Sequence, residues 1–549
     1  MYKRQAEDRL PGHLTLQGEL TRANGTRVHR YLPVAIPELT RHYVRDAVRG
    51  GRATRTTFAV DSGLDHFPPR NAQEGVFRIV ADLDDVDFDY VPESVAERTH
   101  QPVRWPALAG LDAQLVFDRI DMDVRGARGR FADFPQLKVA ETSARIAGLG
   151  QAEPVLEING RVGGPMAQAL GYVQHSPLDA LAGGAFARSQ ATGDAAIQLA
   201  LRIPLHDASA TTVVGTTQIQ QADLRLTPEA PVLAQTQARV DFTEHGFKVS
   251  NARTRLLGGE LQFSGQGEQE GRPEAGAGAG DIAAGRAPGQ AADPAPSAPR
   301  RRLAVQFEGQ GTVTADGLVH AHELPLLAQI GSQLEGQTRY SARLTSAGGQ
   351  LQARFDSDLQ GLASSLPAPF AKTAETALPV RFEASPTGTQ QDRVAFQLGE
   401  RIKAVFERDL SASYPRVRRG AIQIDEHQAP EAALPASGVD LGLKLDTVDV
   451  SAWQALLTAP GADDDASPGA LPSTAAGMAS AALRAHAVAG PADGEGRGRS
   501  EAQDGNPQSA HAAALASFLP TRIDVQAREL RFANRSIHNL RASGTHRQG

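Results

Sequence analysis

His320-x-His322 is the closest histidine pair among the 15 in the chain and the first place to look for a metal. On a strand both rings would face one side. A tetrahedral site needs further donors, and no third ligand accompanies the pair, so a polar surface reading is preferred. The acidic run Asp82, Asp84, Asp85, Asp87 and Asp89 has the carboxylate density for calcium but not the spacing of an EF-hand loop. Alternate acids on a strand form a solvated face. Asp463-Asp464-Asp465 lies in low-complexity sequence and is read as solvated. Gly258-Gly259 sits between strands and opens no helix, so it is not a phosphate loop. The chain has no Gly-x-Ser-x-Gly elbow and no cysteine, which removes thiolate ligands, disulfides and cysteine nucleophiles. The 63 carboxylates are too many for one pair to stand out as acid and base. No catalytic residue, cofactor or metal site is expected, and the chain is read as not an enzyme.

What the sequence does repeat is a strand grammar. In Trp105 to Val124, Leu111, Ala113, Leu115 and Phe117 alternate with other residues, Asp118 and Arg119 intervene, and Ile120, Met122 and Val124 resume one step out of phase. Phe77, Ile79, Ala81 and Leu83 do the same before Asp84-Asp85, followed by Val86, Phe88 and Tyr90. The slip recurs between Ile219 and Ala222, between Leu445 and Val448, and between Ala527 and Leu530. Strict alternation marks strands with one apolar face. A two-residue hairpin or a β-bulge would each return the pattern to the same face, and the turn chemistry does not choose between them. Ile197, Leu199, Leu201, Ile203 and Leu205 form the cleanest alternation. Short helices are expected near 36–49, near 165–181 and at Ser451 to Leu457, where Ser451 is placed to cap a turn carrying Trp453.

The chain of 549 residues is too long for one ordinary core. Roughly twenty to twenty-five strands are expected, more than an open sheet holds without curling or splitting. The fold is therefore read as mostly β: a long, twisted and curled antiparallel sheet forming an open apolar groove, with a few short helices. Residues 266–302 and 459–513 are Gly, Ala, Pro and charge with few large apolar residues, and are read as disordered insertions. The expected divisions are 1–265 and 303–458 as groove, and 514–549 as further strands that stop abruptly, as in a fragment of a longer protein. A net charge of -7 is mild and supplies no basic footprint for nucleic acid. No run of about 18 apolar residues and no signal peptide is present. Of the 56 basic residues only six are lysines, an arginine bias that reflects codon usage rather than mechanism.

Several short stretches carry a family likeness. They include Arg30-Tyr31-Leu32-Pro33, Gly50-Gly51-x-Ala53-Thr54, Phe67-Pro68 with Glu74-Gly75-x-Phe77, and Trp105-Pro106-Ala107-Leu108 with Leu111-Asp112-x-x-Leu115-x-Phe117. Gly193-Asp194-Ala195 with Leu201-x-Ile203-Pro204-Leu205, and Gly361-Leu362-x-Ser364-Ser365-Leu366-Pro367-x-Pro369-x-x-Lys372, follow in order, as does Trp453 with Leu456. On these residues the chain resembles the central region of the bacterial YhdP family, in the AsmA-like superfamily that includes TamB. The resemblance implies a bridge-like lipid transfer protein: a trough with an apolar floor, anchored in the inner membrane by an N-terminal helix absent from this chain, and crossing the periplasm. It implies phospholipid as the partner, with unidentified inner- and outer-membrane proteins, and a role in outer-membrane barrier integrity. It supplies no catalytic residues.

An apolar stripe is ordinarily core. Here its length and the scarcity of covering elements favour a lining, with Ile79, Leu83, Phe88, Leu115, Phe117, Ile120, Met122, Leu199, Leu201 and Ile203 as the expected lipid-facing residues. The alternative is a structural or adhesive β-repeat scaffold, in which a second sheet covers those residues. A carbohydrate-active β enzyme would need converging carboxylates, and none are visible.

Overall fold

The computed structural model describes residues 12–32, 36–98, 103–182, 184, 186–227, 230–269, 303–321, 324–347, 350–368, 370–388, 390–411, 415–451, 516–532 and 535–545. Among them, 25 strands belong to one mixed sheet that does not close, accompanied by six short α-helices. Contacts divide the chain into two units, residues 1–255 with 263–305 and residues 256–262 with 306–549. Most of 266–302 and all of 459–513 lie outside the described residues, except that a strand continues to Gln269. Trp453 and His322 also lie outside them.

The first unit begins with β1 (His13–Leu20), β2 (Ala23–Asn24), α1 (Glu38–Ala47), β3 (Arg52–Gly63) and β4 (Gly75–Phe88). It continues with α2 (Glu93–Arg98), β5 (Leu108–Asp118), β6 (Asp121–Phe131), β7 (Lys138–Ile146) and β8 (Val155–Pro165). Then come α3 (Met166–Gln174), α4 (Leu178–Leu181), β9 (Gln190–Ala191), β10 (Asp194–Pro204), β11 (Thr212–Arg225), β12 (Leu233–Thr243) and β13 (Gly246–Leu256). Each long strand pairs antiparallel with the next one along the chain. Connections at one strand-end edge, such as Arg119-Ile120 and Glu244-His245, carry no α-helix. Connections at the opposite edge carry α1, α2, α3 and α4.

The phase slips divide into two kinds. Only Leu111 to Val124 is a hairpin: Asp118 faces Asp121, and the turn is Arg119-Ile120 with Arg119 at φ 56. The slips at Asp84-Asp85 and before Ala222 are bulges inside single strands, where Asp85 (φ 53) and Gln221 (φ 52) are left-handed. The slips at Asp446 and Arg528 also fall inside single strands. Bulges with a left-handed residue recur at Gly110 in β5, Gly126 in β6, Glu141 in β7, Gln235 in β12 and Asn251 in β13. A bulge bends its strand and orphans a backbone donor. Carboxylates answer that need. Asp85 N–H donates to Asp112 Oδ1 at 3.1 Å, Gly110 N–H to Asp87 Oδ1 at 3.2 Å, and Gln235 N–H to Asp223 Oδ1 at 2.8 Å. In each case the acceptor stands two residues after a left-handed residue of the neighbouring strand. In two of the three the residue between is buried, Val86 at 8% and Ala222 at 0% exposure, while Leu111 is partly covered. Gly51 (φ 95) is required where β3 begins, because a Cβ there would stand 2.5 Å from Val86 Cα.

Two further strands, β14 (Gly259–Gln269) and β15 (Leu303–Thr314), contribute residues to both units. The second unit then runs α5 (Ala315–Val319), α6 (Pro325–Gly331), β16 (Leu334–Ala347), β17 (Gln350–Ser357), β18 (Leu362–Ser364), β19 (Val380–Gly388) and β20 (Gln391–Leu398). It ends with β21 (Ile402–Asp409), β22 (Arg416–Asp425), β23 (Gly438–Asp449), β24 (Arg522–Phe532) and β25 (Arg535–Thr545). The expectation of a wholly antiparallel sheet is corrected here, since β23 runs parallel to both β22 and β24. Residues 426–437 and 450–521 are long enough connections to return the chain to the starting edge, which a tight turn cannot do. A small core of Val313, Leu318 and Tyr340, with Phe355 stacked on Tyr340 at 5.0 Å, anchors α5 to this unit. Between β17 and β19 the chain makes an excursion pinned by Lys372. Its ammonium donates to Leu359 O at 2.8 Å and to Leu362 O, and burial lowers its pKa.

The bulge packing generates a stability prediction. Ala222→Leu forces volume into a site closed by Gly193 and should cost about 1–3 kcal/mol in urea unfolding. Exposed Val214→Leu on the same strand should leave the midpoint unchanged.

Candidate functional site

The registers assemble the alternating apolar residues into cross-strand rows. In the first unit one row reads Phe58, Ile79, Phe117, Met122, Ile146, Leu156 and Ile203 from β3 to β10. The next row is Ala81, Leu115, Val124, Ala144, Ile158, Leu201 and Val213. A third is Gly160, Leu199, Gly215, Phe242 and Phe247. Seven of the ten residues expected from sequence, Ile79, Leu115, Phe117, Met122, Leu199, Leu201 and Ile203, therefore sit in adjoining rows on one face. Leu83 continues that face beside Ala53 and Ala113. Phe88 lies past the bulge, paired with Leu108 at the helical edge. Ile120 is placed differently. It occupies the hairpin turn, where its carbonyl accepts from Leu149 N–H.

All ten side chains are partly covered and none is buried. In the same rows Ala81 and Ile146 are buried. Two phenylalanines lie across glycines on this face. A Cβ at Gly215 would meet the Phe242 ring at 2.1 Å, and one at Gly18 would meet the Phe58 ring at 2.3 Å. The missing side chain lets each ring settle against the backbone.

The second unit repeats the arrangement with residues not singled out from sequence. Phe355, Phe382, Phe396, Ala404, Ile422, Leu441 and Ile523 form a row from β17 to β24. Val394, Phe406, Gly420 and Val439 flank it on one side, and Leu398, Ile402, Ile424, Leu443 and Val525 on the other. The signal was present in their alternation, but short strands such as Val405-Phe406 show too little of it alone.

The opposite face is charged and paired across strands. In the first unit Arg78 meets Asp118 at 2.8 Å, Arg145 meets Asp121 at 3.2 Å, and Arg161 meets Glu141 at 2.8 Å. In the second, Asp356 lies 2.7 Å from both Arg354 and Arg381, which hold its carboxyl below the usual range. The acidic run does not converge on a cation. Asp82 accepts from Gln114, Asp84 pairs with Arg52, Asp87 caps a bulge and Asp89 pairs with Arg49. Among the described residues no group of three or more potential metal ligands gathers. His320 sits at the end of α5, not on a strand, with Nδ1 2.8 Å from Asp316 O.

Aromatic side chains tie the helical edge of the first unit together. Tyr43 of α1 donates to Tyr90 O at 3.2 Å, and the Tyr90 and Tyr172 hydroxyls are 2.9 Å apart. Phe131 packs on the Tyr172 ring at 4.8 Å. Burial pushes the Tyr172 phenol up to about 12; burial, aided by Asp89, pushes Tyr43 up to about 12, and Tyr90 is raised as well. No helix among the described residues is long and apolar enough to cross a membrane.

These groups dictate a pH profile. Raised phenols contribute stability that is full below their unfolded value near 10 and is lost as pH rises towards about 12. Asp241, held low by Arg239, and Glu407, held low by Arg419, contribute above the carboxylate range and lose that contribution as pH falls through their depressed values. Urea midpoints should therefore be flat between about pH 6 and 9 and fall on both sides, and Tyr172→Phe should remove part of the alkaline decline.

The family model described as YhdP protein matches residues 1–284 and 291–549 of the chain. No curated protein and no solved structure matches it.

Proposed function

Because the chain belongs to the YhdP family, we propose that it is a non-enzymatic segment of a bridge-like lipid transfer protein whose apolar face shields phospholipid acyl chains. In this reading the full protein is anchored in the inner membrane, works in the periplasm between the two membranes and supports the outer-membrane barrier. The observation that carries the proposal is the continuity of two apolar rows, Phe58 to Ile203 in one unit and Phe355 to Ile523 in the other, in which every side chain but Ile146 and Ala404 is partly exposed.

The energetics fit such a task. Two acyl chains with roughly thirty methylenes would cost about 25 kcal/mol to expose to water, at about 0.8 kcal/mol per methylene. Partly exposed Leu, Ile, Phe and Met side chains offset most of that cost by contact alone. Backbone donors and acceptors are engaged in the strand ladder, so the face presents hydrocarbon and little else. A packed scaffold is disfavoured by the same observation. Phe117 and Leu201 would be shut away from water beneath a second sheet, whereas both remain partly exposed in a single sheet.

The test is lipid carriage. The purified chain should co-purify with phospholipid detectable by mass spectrometry of extracted lipid. Leu115→Asp and Leu201→Asp each place a charge in the same row, on β5 and β10, and should reduce the bound lipid by at least tenfold without unfolding the protein. A lipid-free wild-type chain, or aspartate variants that load normally, would overturn the reading.

A further inference from the structure

The apolar face of the second unit carries an ion pair. Asp392 of β20 and Arg408 of β21 are directly opposed in the register, in step with Val394 against Phe406. Strand parity therefore puts both side chains on the face of Phe396 and Phe406. The guanidinium holds the carboxylate with two donors: Arg408 Nε donates to Asp392 Oδ1 at 3.0 Å, and Nη2 to Oδ2 at 2.5 Å. The Asp392 side chain is 10% exposed and that of Arg408 22%. On the same face β19 carries Phe382, Ala384 and Pro386, and β22 carries Val417, Gly420 and Ile422. Among the described residues no other charged side chain stands on this face from β19 to β22. The neighbouring Arg393, Glu407 and Asp409 belong to the other face, where Glu407 pairs with Arg419 at 2.7 Å.

Such a pair adds little to the fold. Two charges withdrawn from water gain little net stability from each other, and apolar residues of similar volume would serve as well. The first unit manages without one, since its rows from Phe58 to Ile203 and from Ala81 to Val213 hold no charge. Position gives the pair a use. It ends the apolar rows where β20 begins and β21 ends, about 7 Å beyond Phe406 along the strand. A lipid whose chains lie over Phe396 and Phe406 reaches that end with its headgroup. The chemistry waiting there is dipolar rather than cationic. Arg408 Nη1 has no acceptor among the described residues and is free to donate to a phosphate. The Asp392 carboxylate keeps lone pairs for a cationic amine. A headgroup of net negative charge would stand uncompensated beside Asp392.

We propose that Asp392 and Arg408 form a headgroup site for zwitterionic phospholipid, with the phosphate on Arg408 and the amine towards Asp392. The proposal rests on the lipid-carrying reading and adds selection by headgroup to it.

Loading the full chain from vesicles of equal phosphatidylethanolamine and phosphatidylglycerol, with identical acyl chains, tests the site. Mass spectrometry of the bound lipid should find phosphatidylethanolamine enriched about tenfold, as one charge-assisted hydrogen bond supplies. The double variant Asp392→Leu with Arg408→Met should carry as much lipid in total, but at the vesicle ratio. Its urea midpoint should equal or exceed that of wild type, whereas Arg408→Met alone should lower the midpoint by stranding a buried carboxylate. Arg408→Lys keeps the charge without the second donor arm and should lose most of the enrichment with the fold intact. Wild-type loading at the vesicle ratio, or a double variant that keeps the enrichment, would overturn the headgroup site and leave the lipid-carrying reading standing. A wild-type chain that loads neither lipid would overturn both.

Discussion

A β-bulge moves every later side chain to the opposite face, and the strands from β4 to β7 each accommodate one. The structure depends on this constraint being met in adjacent strands near the helical edge. Were only β4 bulged, Val86 and Phe88 would pair with the wrong side of β5. Because β5, β6 and β7 carry their own extra residue, at Gly110, Gly126 and Glu141, the phase is recovered strand by strand. The aspartates at positions 87 and 112 make the pair reciprocal, each accepting the donor that the other strand's bulge leaves free. Their role is conformational, which is why a dense acidic run assembles no cation site.

Keeping the phase keeps the faces separate. On one side, cross-strand ion pairs such as Arg78 with Asp118 are half-exposed and individually contribute little to stability. Their value lies in register, because a one-residue slip would set charge against hydrocarbon. On the other side, most of the large row residues stay partly exposed, and glycines such as Gly215 accept a phenyl ring close to the backbone. The result is an apolar surface held in place by a ladder that spends few large side chains on a closed core. Buried residues are mostly Ala and Val, such as Ala222 and Val116, with a few larger ones such as Ile146, Tyr340 and Ile402.

Helices serve a different purpose. In the first unit they gather at one edge and are bound there by tyrosine hydroxyls and ring contacts rather than by a broad apolar interface. Several strand arginines, such as Arg78, Arg145 and Arg161, pair with a carboxylate of a neighbouring strand.

Alternation in the sequence was sufficient for the mostly β class, the single apolar face and the placing of seven residues in its rows, because side-chain direction on a strand follows from parity alone. Ile79, Leu115 and Leu201 could be assigned to one face without any partner being known. Parity could not tell a hairpin from a bulge, since both restore the face, and so it could not show that Ile120 occupies a turn. Nor could it reveal that β23 runs parallel to its neighbours, or that Phe58, Ile146 and Leu156 stand level with Ile79 and Ile203. Register and direction are properties of pairs of strands. They are decided by which backbone donor meets which acceptor, and that choice exists only once distant segments lie side by side.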